Sequence, residues 1–237
     1  MNTAIVVANL AFELAGRSFD YKDALSPNTS SYSVFGVPMP SVGLEVYPAA
    51  GTKIPFFRDL GLTMRFAHAF GISSTTEDGK TVGTGWTRLG GGLRARFRPG
   101  STKGVMLGLN AGVEYLQFNF DSAGAIDTSV PSVTYTSLRG GVDARIPFWR
   151  MALLLDFGAE GPLAAGAVYK RFRDPKVGGI DVGAGFSLTL GAGFELRLHG
   201  DYTRYFSKFH PLVGDPYVAG GTLDEFYGFG LGLAYAY

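Results

Sequence analysis

The feature that most constrains this chain is a two-residue alternation of apolar with small or polar side chains, which recurs in ten segments. The last twelve residues, FYGFGLGLAYAY, show it clearly: large apolar side chains alternate with glycine or alanine up to Tyr237. Successive side chains of a β-strand point to opposite faces, so this period predicts strands. The segments are roughly 9–14 residues long, which suits tilted membrane strands better than the short strands of soluble sheets.

The connections between these segments alternate in length. Short ones lie near 99–101, 147–149 and 191–193, and a somewhat longer one covers 48–57. Five longer connections, rich in Ser, Thr, Asp, Gly and Pro, cover about 19–40, 71–85, 121–135, 161–176 and 206–224. Short turns at one end and long loops at the other are typical of outer-membrane barrels.

We therefore predict a single domain over residues 1–237, an all-β, ten-stranded antiparallel up-and-down transmembrane β-barrel. Strand one (about 3–18) is expected to close against strand ten (about 224–237). An even strand number places both termini at the short-turn end, which is periplasmic in barrels of this kind.

The placement of charge predicts that the apolar faces point outward and the polar faces line the lumen. The lysines lie in connections or at a strand edge, whereas most arginines lie within strands among nearly as many carboxylates. Arginine is favoured where a planar fork pairs with carboxylates in a confined space. The predicted lumen charge network comprises Glu13, Glu45, Arg65, Arg88, Arg94, Arg96, Glu114, Arg139, Asp143, Arg145, Asp156, Asp181, Glu195, Arg197 and Asp201.

Aromatic residues at the strand ends predict two rings at the two membrane interfaces. The ring at the short-turn end would contain Phe56, Phe57, Phe97, Phe148, Trp149, Phe194, Tyr235 and Tyr237. The ring toward the long loops would contain Tyr32, Trp86, Tyr115, Tyr135, Tyr169, Tyr202 and Phe226.

The end of the chain resembles the C-terminal recognition signal of Gram-negative outer-membrane proteins. The matching residues are Phe229, Leu231, Leu233, Tyr235 and Tyr237. The commonest terminal residue of that class is Phe, so Tyr237 is a departure. The resemblance implies location in the bacterial outer membrane, contact with its lipid, and recognition by the barrel-assembly machinery during biogenesis. It points to no particular member of the class.

Composition excludes several kinds of chemistry. The chain has no cysteine, which removes disulfides, thiolate metal sites and cysteine nucleophiles. The net charge of +1, with the strand arginines offset by acids, gives no basis for nucleic-acid binding. The acidic pairs Glu77–Asp78 and Asp224–Glu225 lack the spacing of a calcium loop, so we expect no metal and no cofactor. No basic residue precedes Arg17, so we expect a mature chain whose signal peptide has been removed.

Ten-stranded barrels include the omptins, surface proteases that use Asp and His pairs at the outer rim. His199 and Asp201 share a polar strand face, and His210 and Asp215 lie in the last long loop. A histidine beside a carboxylate can activate water. Because no second aspartate pair occurs at matching strand ends, we expect no catalytic residue and no enzymatic activity, and an omptin-like hydrolase is the least favoured function.

Two other functions remain. A lumen crowded with charged side chains favours a structural or adaptor subunit of an envelope or surface assembly for attachment, secretion or motility. The alternative is a narrow, weakly anion-selective pore for small solutes, suggested by the arginine-rich strand around Arg94. Apolar residues in loops 19–40 and 206–224 predict either contacts with protein partners or a lid over the barrel mouth.

Overall fold

The computed structural model describes residues 4–52, 54–75, 81–100, 104–121 and 130–237. Within these ranges the chain is almost entirely β-structure. The strands are β1 Val6–Lys22, β2 Tyr32–Val46, β3 Leu60–His68, β4 Ile72–Thr75, β5 Thr81–Phe97, β6 Met106–Phe120, β7 Val133–Phe148, β8 Met151–Ala165, β9 Lys176–Gly191, β10 Phe194–Lys208 and β11 Gly221–Ala236. Two short helices, α1 Pro55–Arg58 and α2 Ala167–Arg171, lie in connections. None of the described helices has the length and hydropathy needed to cross a membrane.

The strands form one antiparallel sheet that closes on itself. Apart from β3 and β4, strands that are neighbours along the chain pair with each other; in addition β1 pairs with β11, and β3 pairs with β5. β3 pairs with residues 87–95 of β5, and β4 pairs with residues 81–84 of the same strand. The two strands, interrupted at residues 69–71, therefore occupy a single position in the wall. The barrel therefore has ten strand positions, which confirms the predicted fold class and its closure.

The strands extend further toward the long loops than the alternation predicted. β1 ends at Lys22 rather than near 18, and β11 begins at Gly221 rather than near 224. The connection predicted over 19–40 shrinks to residues 23–31. The β1–β11 ladder continues from Arg17–Phe226 to Lys22–Gly221. On β1 the outward positions beyond Leu14 are Gly16, Ser18, Asp20 and Lys22, so the end of this strand forms a polar collar beyond the apolar belt.

The two ends of the barrel differ, and we name them by their connections. The turn end carries the short turns and both chain ends: the Ile5 amide donates to the carbonyl of Tyr237 at 2.6 Å, and the Tyr237 amide donates to Val6 at 3.0 Å. The loop end carries the longer connections, including that of α2. Both termini thus lie at the same end.

A belt of exposed apolar side chains surrounds the wall. It includes Leu10, Phe12, Leu62, Met64, Leu93, Leu109, Val113, Leu138, Val142, Phe157, Val182, Phe186, Leu196, Leu198, Phe229, Leu231 and Leu233. Tyr235 and Tyr237 are also exposed, so all five residues of the C-terminal pattern face outward, while Ala234 between them is buried. An apolar surface of this extent is unfavourable in water and is what lipid requires of a barrel wall.

The polarity of the wall inverts at the loop end. Trp86, Tyr135 and Phe226, predicted to lie in the outer aromatic ring, are fully buried inside the barrel, and Tyr32 and Tyr169 pack against the same core. That part of the prediction was wrong, because strands that extend beyond the bilayer meet water outside and turn their apolar side chains inward. Tyr115 and Tyr202 remain on outward-facing positions. At the turn end, Phe97, Phe148, Trp149 and Phe194 are exposed as predicted.

One stretch of the wall lacks a hydrogen-bond ladder. β2 pairs with β3 only from Ser41 to Val46, and its residues 32–40 have no strand partner on that side among the described residues. Pro38 and Pro40 carry no amide donor to leave unsatisfied there. Val37 and Met39 are buried in the core, and the Tyr32 hydroxyl lies 2.9 Å from Ser74 Oγ across the gap. Side-chain packing therefore closes this seam.

The belt predicts how charge on the wall affects stability. Replacing Leu231, which is 52% exposed, by Arg should lower the free energy of unfolding by about 2–4 kcal/mol, because a cation would face hydrocarbon. Leu212→Arg, in the last loop, should change it by less than about 0.5 kcal/mol. Urea titration of the barrel in lipid vesicles measures both variants. Equal effects at the two positions would contradict the assignment of the belt to lipid.

Candidate functional site

The structure brings the predicted lumen charges together as ion pairs. Fourteen of the fifteen residues pair with one another, and Arg96 lies 3.6 Å from Asp59, at the start of β3. The pairs form three clusters, each centred on arginines that bind carboxylates of other strands.

The central cluster surrounds Arg88 on β5. One guanidinium nitrogen donates to Asp201 of β10 at 2.9 Å, and another donates to Glu13 of β1. His199 of β10 completes the cluster, with its Nε2 lying 3.6 Å from Glu13 Oε1. One arginine thus connects strands on opposite sides of the tube.

A second cluster surrounds Arg139 on β7. Its guanidinium binds Asp181 of β9 at 2.5–3.1 Å, Asp156 of β8 at 2.6 Å, and the side-chain oxygen of Asn110. At the same level, the exposed Arg65 lies 3.1 Å from Glu114. Across these two clusters, Glu13, Glu114, Asp156, Asp181 and Asp201 outnumber the three arginines.

The third cluster lies nearest the turn end. Arg94 of β5 binds Glu45 of β2 at 2.6 Å and the Tyr47 hydroxyl at 2.9 Å, and it also pairs with Asp143 of β7. The fully buried Glu195 accepts from Arg145 at 2.5 Å and from Arg197 at 3.3 Å. The Arg96 guanidinium lies 3.3 Å from the centre of the Tyr47 ring. Inside the barrel, planar arginine groups therefore stack as well as pair.

A cavity of about 480 Å³ runs beside these clusters. Its lining includes Arg88, Arg94, Arg145, Arg197 and His199, and it reaches loopward as far as Ala67 and Arg88. The lumen below that level is partly open, and its lining combines these charged side chains with apolar ones.

Above the cavity lies an apolar core that we call the aromatic plug: Trp86, Phe118, Tyr135, Tyr205 and Phe226. All five are at most 5% exposed, and none of them lines the cavity. Tyr135 and Tyr205 stack with ring centres 3.8 Å apart, and Trp86 contacts both Phe118 and Phe226 edge-on or tilted at 5.4–5.7 Å. The plug therefore fills the tube at the loop end.

A buried ion pair is embedded in the plug. Arg17 and Asp224 are both fully buried and make two parallel hydrogen bonds of 2.8 and 2.9 Å, while the Tyr135 hydroxyl donates to Asp224 at 3.0 Å. The Arg17 guanidinium also lies 4.5–5.9 Å from the ring centres of Phe19, Tyr32, Phe118 and Phe226. The ion pair and the contacts of the Arg17 guanidinium with the rings compensate for the loss of water around the two charges.

Of this pair, Asp224 is the residue that the sequence did not place in the lumen, whereas Arg17 lies on the polar face of the first predicted strand. Asp224 was considered only as a solvated loop acid beside Glu225, which is wrong because β11 begins at Gly221 and turns Asp224 inward. Glu225 faces outward and accepts from the Tyr202 hydroxyl. The signal that could have found Asp224 is its two-residue spacing from Phe226 on the inward face. Glu77 and Asp78 lie outside the described residues.

Glu13, His199 and Asp201 are the one described group of three metal-ligating side chains whose donor atoms lie within 4.8 Å of one another. Arg88 already binds both carboxylates, so a cation would have to displace its guanidinium. His210 and Asp215, by contrast, contact different partners: the Asp174 carbonyl and Arg173. A backbone hydrogen bond from Leu212 lowers the pKa of the exposed Asp215 carboxyl, so it stays charged at neutral pH.

The comparisons with known proteins concern the fold. No protein-family model matches the sequence, and no curated protein sequence matches it significantly. The outer membrane protease OmpT of Escherichia coli is similar in structure, with a TM-score of 0.55, 8% sequence identity, and coverage of 98% of this chain and 96% of that chain. The chain has the fold of Gram-negative outer-membrane β-barrels.

Two further structures show weaker similarity. The translocator domain of the autotransporter NalP of Neisseria meningitidis has a TM-score of 0.46 at 13% identity, covering 98% of this chain and 88% of that chain. The attachment invasion locus protein Ail of Yersinia pestis has a TM-score of 0.38 at 10% identity, covering 98% of both chains. At these identities no activity transfers to this chain.

The Arg17–Asp224 pair predicts a large and asymmetric mutational effect. Arg17→Met should destabilise the barrel by about 3–5 kcal/mol, because it leaves Asp224 buried without a counter-charge. Adding Asp224→Leu should recover most of that loss, since the second change removes the stranded carboxylate. Arg65→Met, at a 58%-exposed side chain, should cost less than about 1 kcal/mol. Equilibrium unfolding in vesicles measures the double-mutant cycle; additive effects at positions 17 and 224 would refute the coupling.

Proposed function

We propose that this chain is an integral outer-membrane β-barrel with a charge-filled narrow lumen, acting as a non-conducting structural or adaptor subunit of an envelope or surface assembly. The assembly would serve attachment, secretion or motility. The aromatic plug is the observation that carries this proposal, because Trp86 and Tyr135 have no exposed surface inside the tube. A barrel closed in this way acts through its loops and its outer wall.

The alternative, a narrow anion-selective pore, draws its support from the cavity of about 480 Å³ and the arginines in its lining. Two observations weigh against it. The cavity lies on the turn side of the plug, and two of its arginines are already engaged by two carboxylates each: Arg94 binds Glu45 and Asp143, and Arg88 binds Glu13 and Asp201. An anion would meet paired guanidinium groups followed by an apolar barrier.

Enzymatic activity is also disfavoured under this proposal. His199 and Asp201 oppose Gly230 and Gly228 on β11, turnward of Phe226 in the plug. A substrate arriving at the loop end would have to pass the plug to reach them. An omptin-like hydrolase, in contrast, works at the outer rim.

The loop surface supports the adaptor role. The first and last loops join at the loop end: the Leu25 amide donates to the Val218 carbonyl at 2.9 Å, and Asn28 Nδ2 donates to the Pro216 carbonyl at 3.1 Å. Phe209 is buried, so part of the predicted lid exists, whereas Leu25, Leu212 and Val213 remain exposed. We propose that these exposed residues contact a protein partner outside the cell.

The proposed contact outside the cell implies an orientation for the barrel. With the loop end outside, both termini and the C-terminal pattern face the periplasm, where the barrel-assembly machinery would read Tyr237. The outward orientation of Phe229, Leu231 and Leu233 makes these side chains accessible during strand insertion.

Closure of the lumen is testable by electrophysiology. The wild-type barrel should carry no steady ionic current in a planar bilayer, and Trp86→Ala/Phe118→Ala should conduct, since removing two buried rings opens the plug. Phe97→Ala/Phe157→Ala, which removes two lipid-facing rings, is the matched control and should stay silent. Steady anion-selective current from the wild-type protein would instead establish the pore.

The adaptor role is testable by site-specific photo-cross-linking in intact cells. A photoreactive residue at Val213 or Leu25 should trap one discrete protein reproducibly, because these side chains project from the loop surface. The same residue at Leu109, on the lipid-facing wall, should trap none. If neither loop position yields a reproducible partner, the adaptor proposal is wrong.

A further inference from the structure

The outward face of the wall carries a row of lysines at the loop end. Lys176 of β9 lies directly opposite Lys208 of β10, Lys208 lies opposite Gly221 of β11, and Gly221 lies opposite Lys22 of β1. All three lysines are exposed, and the row contains no carboxylate. Among the described residues, these lysines make no ion pair.

Two lysines facing each other across a ladder are destabilising, as like charges on directly opposed strand residues repel. Neighbouring charges do not cancel the excess. Asp20 lies one row below, on the β1 side, and Glu225 is engaged by Tyr202 and lies 3.9 Å from Arg204. The segment before β9 adds exposed Lys170 and Arg173 against exposed Asp174, with Arg173 paired to Asp215 at 3.4 Å. At the β1 end of the row, exposed Asp23 follows Lys22. The rim over β9 and β10 is therefore cationic.

The wall beneath the lysine row carries apolar and aromatic side chains on β9, β10 and β11, with charged groups between them. The next outward row contains Phe206 and Leu223, with the Phe206 ring lying across Gly178 below Lys176, and ends on β1 at Asp20. The row below contains Ile180 beside Arg204, Glu225 and Ser18, and Tyr202, Val182 and Tyr227 follow and lead into the lipid belt at Phe229. The lysine Cα atoms thus lie about 7 Å along the strand above the row of the first ring, given roughly 3.3 Å per residue.

This arrangement matches the two parts of a membrane amphiphile. Cations in one row would bind phosphates at the membrane surface, and the ring and aliphatic side chains below would contact its acyl chains. Neighbouring strands lie about 4.8 Å apart, so Lys176, Lys208 and Lys22 span about 15 Å around the wall. That width suits a headgroup with more than one phosphate.

We propose that the outer wall of β9, β10, β11 and β1 is a binding site for a multiply phosphorylated glycolipid, with Lys176 and Lys208 as the principal phosphate ligands and Lys22 as a third. The lipid neutralises the opposed lysines and packs against Phe206. This site depends on membrane insertion of the barrel, but it is independent of whether the protein acts as an adaptor or as a pore.

The test uses the purified, folded barrel in neutral detergent, with native mass spectrometry and thermal unfolding as readouts. The probes are lipid A, which is a bis-phosphorylated acyl disaccharide, its monophosphorylated form, phosphatidylcholine, and inorganic pyrophosphate. Lipid A should bind best and raise the unfolding temperature, the monophosphorylated form should bind more weakly, and the other two should have no effect. Raising the salt concentration should weaken the binding.

Two double variants separate the site from general charge. Lys176→Gln/Lys208→Gln should weaken lipid A binding by about 10- to 30-fold, given the contribution of each lysine near an anionic surface. Arg58→Gln/Arg150→Gln removes the same charge from exposed positions at the turn end and should leave binding unchanged. Because Lys208→Gln relieves repulsion, the first variant should fold at least as well without lipid.

Three results would overturn the proposal. Equal loss of binding in both double variants would show that net charge alone attracts the lipid. Equal binding of pyrophosphate and lipid A would show a phosphate site with no role for the wall. Unchanged lipid A affinity in Lys176→Gln/Lys208→Gln would remove the site altogether.

Discussion

The structure depends on the pairing of charge inside a tube that lipid surrounds. A strand that crosses the bilayer turns every second side chain inward, and in this chain many of those positions carry Arg, Asp or Glu. Because lipid surrounds the wall and the lumen is narrow, these charged groups can be stabilised only by one another and by the small cavity beside them. Arginine meets this constraint well, since one guanidinium reaches several strands: Arg88 binds β1 and β10, and Arg94 binds β2 and β7. The lumen network therefore also acts as cross-bracing of the wall.

The same strands follow the opposite rule at the loop end. Along β1, the inward positions change from Glu13 to Arg17 and then to Phe19, while the outward positions change from Phe12 and Leu14 to Ser18 and Asp20. Outside the bilayer the hydrophobic effect again favours apolar groups within, as in a soluble barrel. Arg17 lies where the two regimes meet, and its pairing with Asp224 inside an aromatic shell lets a charged position adjoin a dry core.

Sequence alternation predicted the strands, their closure and the inward face of the fifteen charges of the lumen network, because a period of two assigns residues alternately to the two sides of the wall. It could not predict the axial position at which the outer medium changes from lipid to water. Trp86, Tyr135 and Phe226 lie on the inward parity of their strands, but as aromatics near strand ends they were assigned to an interface ring. Asp224 was missed for a related reason, since the predicted end of the last strand fell at its position. The partners of Arg88 and Arg94 could not be predicted either, because contacts across the lumen depend on strand register and tilt.

The seam beside β2 shows why the interior is closed by two different means. Residues 32–40 of β2 have no backbone ladder on the side of β3. Pro38 and Pro40 have no amide hydrogen, so they cannot donate hydrogen bonds to such a ladder. Val37 and Met39 fill that gap from within, packed in the same core as the plug. Turnward of the seam, the short β2–β3 ladder resumes, and Arg94 ties Glu45 of β2 to the far wall. Apolar packing thus takes the place of backbone hydrogen bonds along the seam, and ion pairing reinforces the short ladder turnward of it. Both kinds of contact occupy the lumen. The side chains that close the lumen therefore also stabilise the wall beside β2. A conducting form would have to remove these side chains from the lumen, and the barrel would lose stability at the seam.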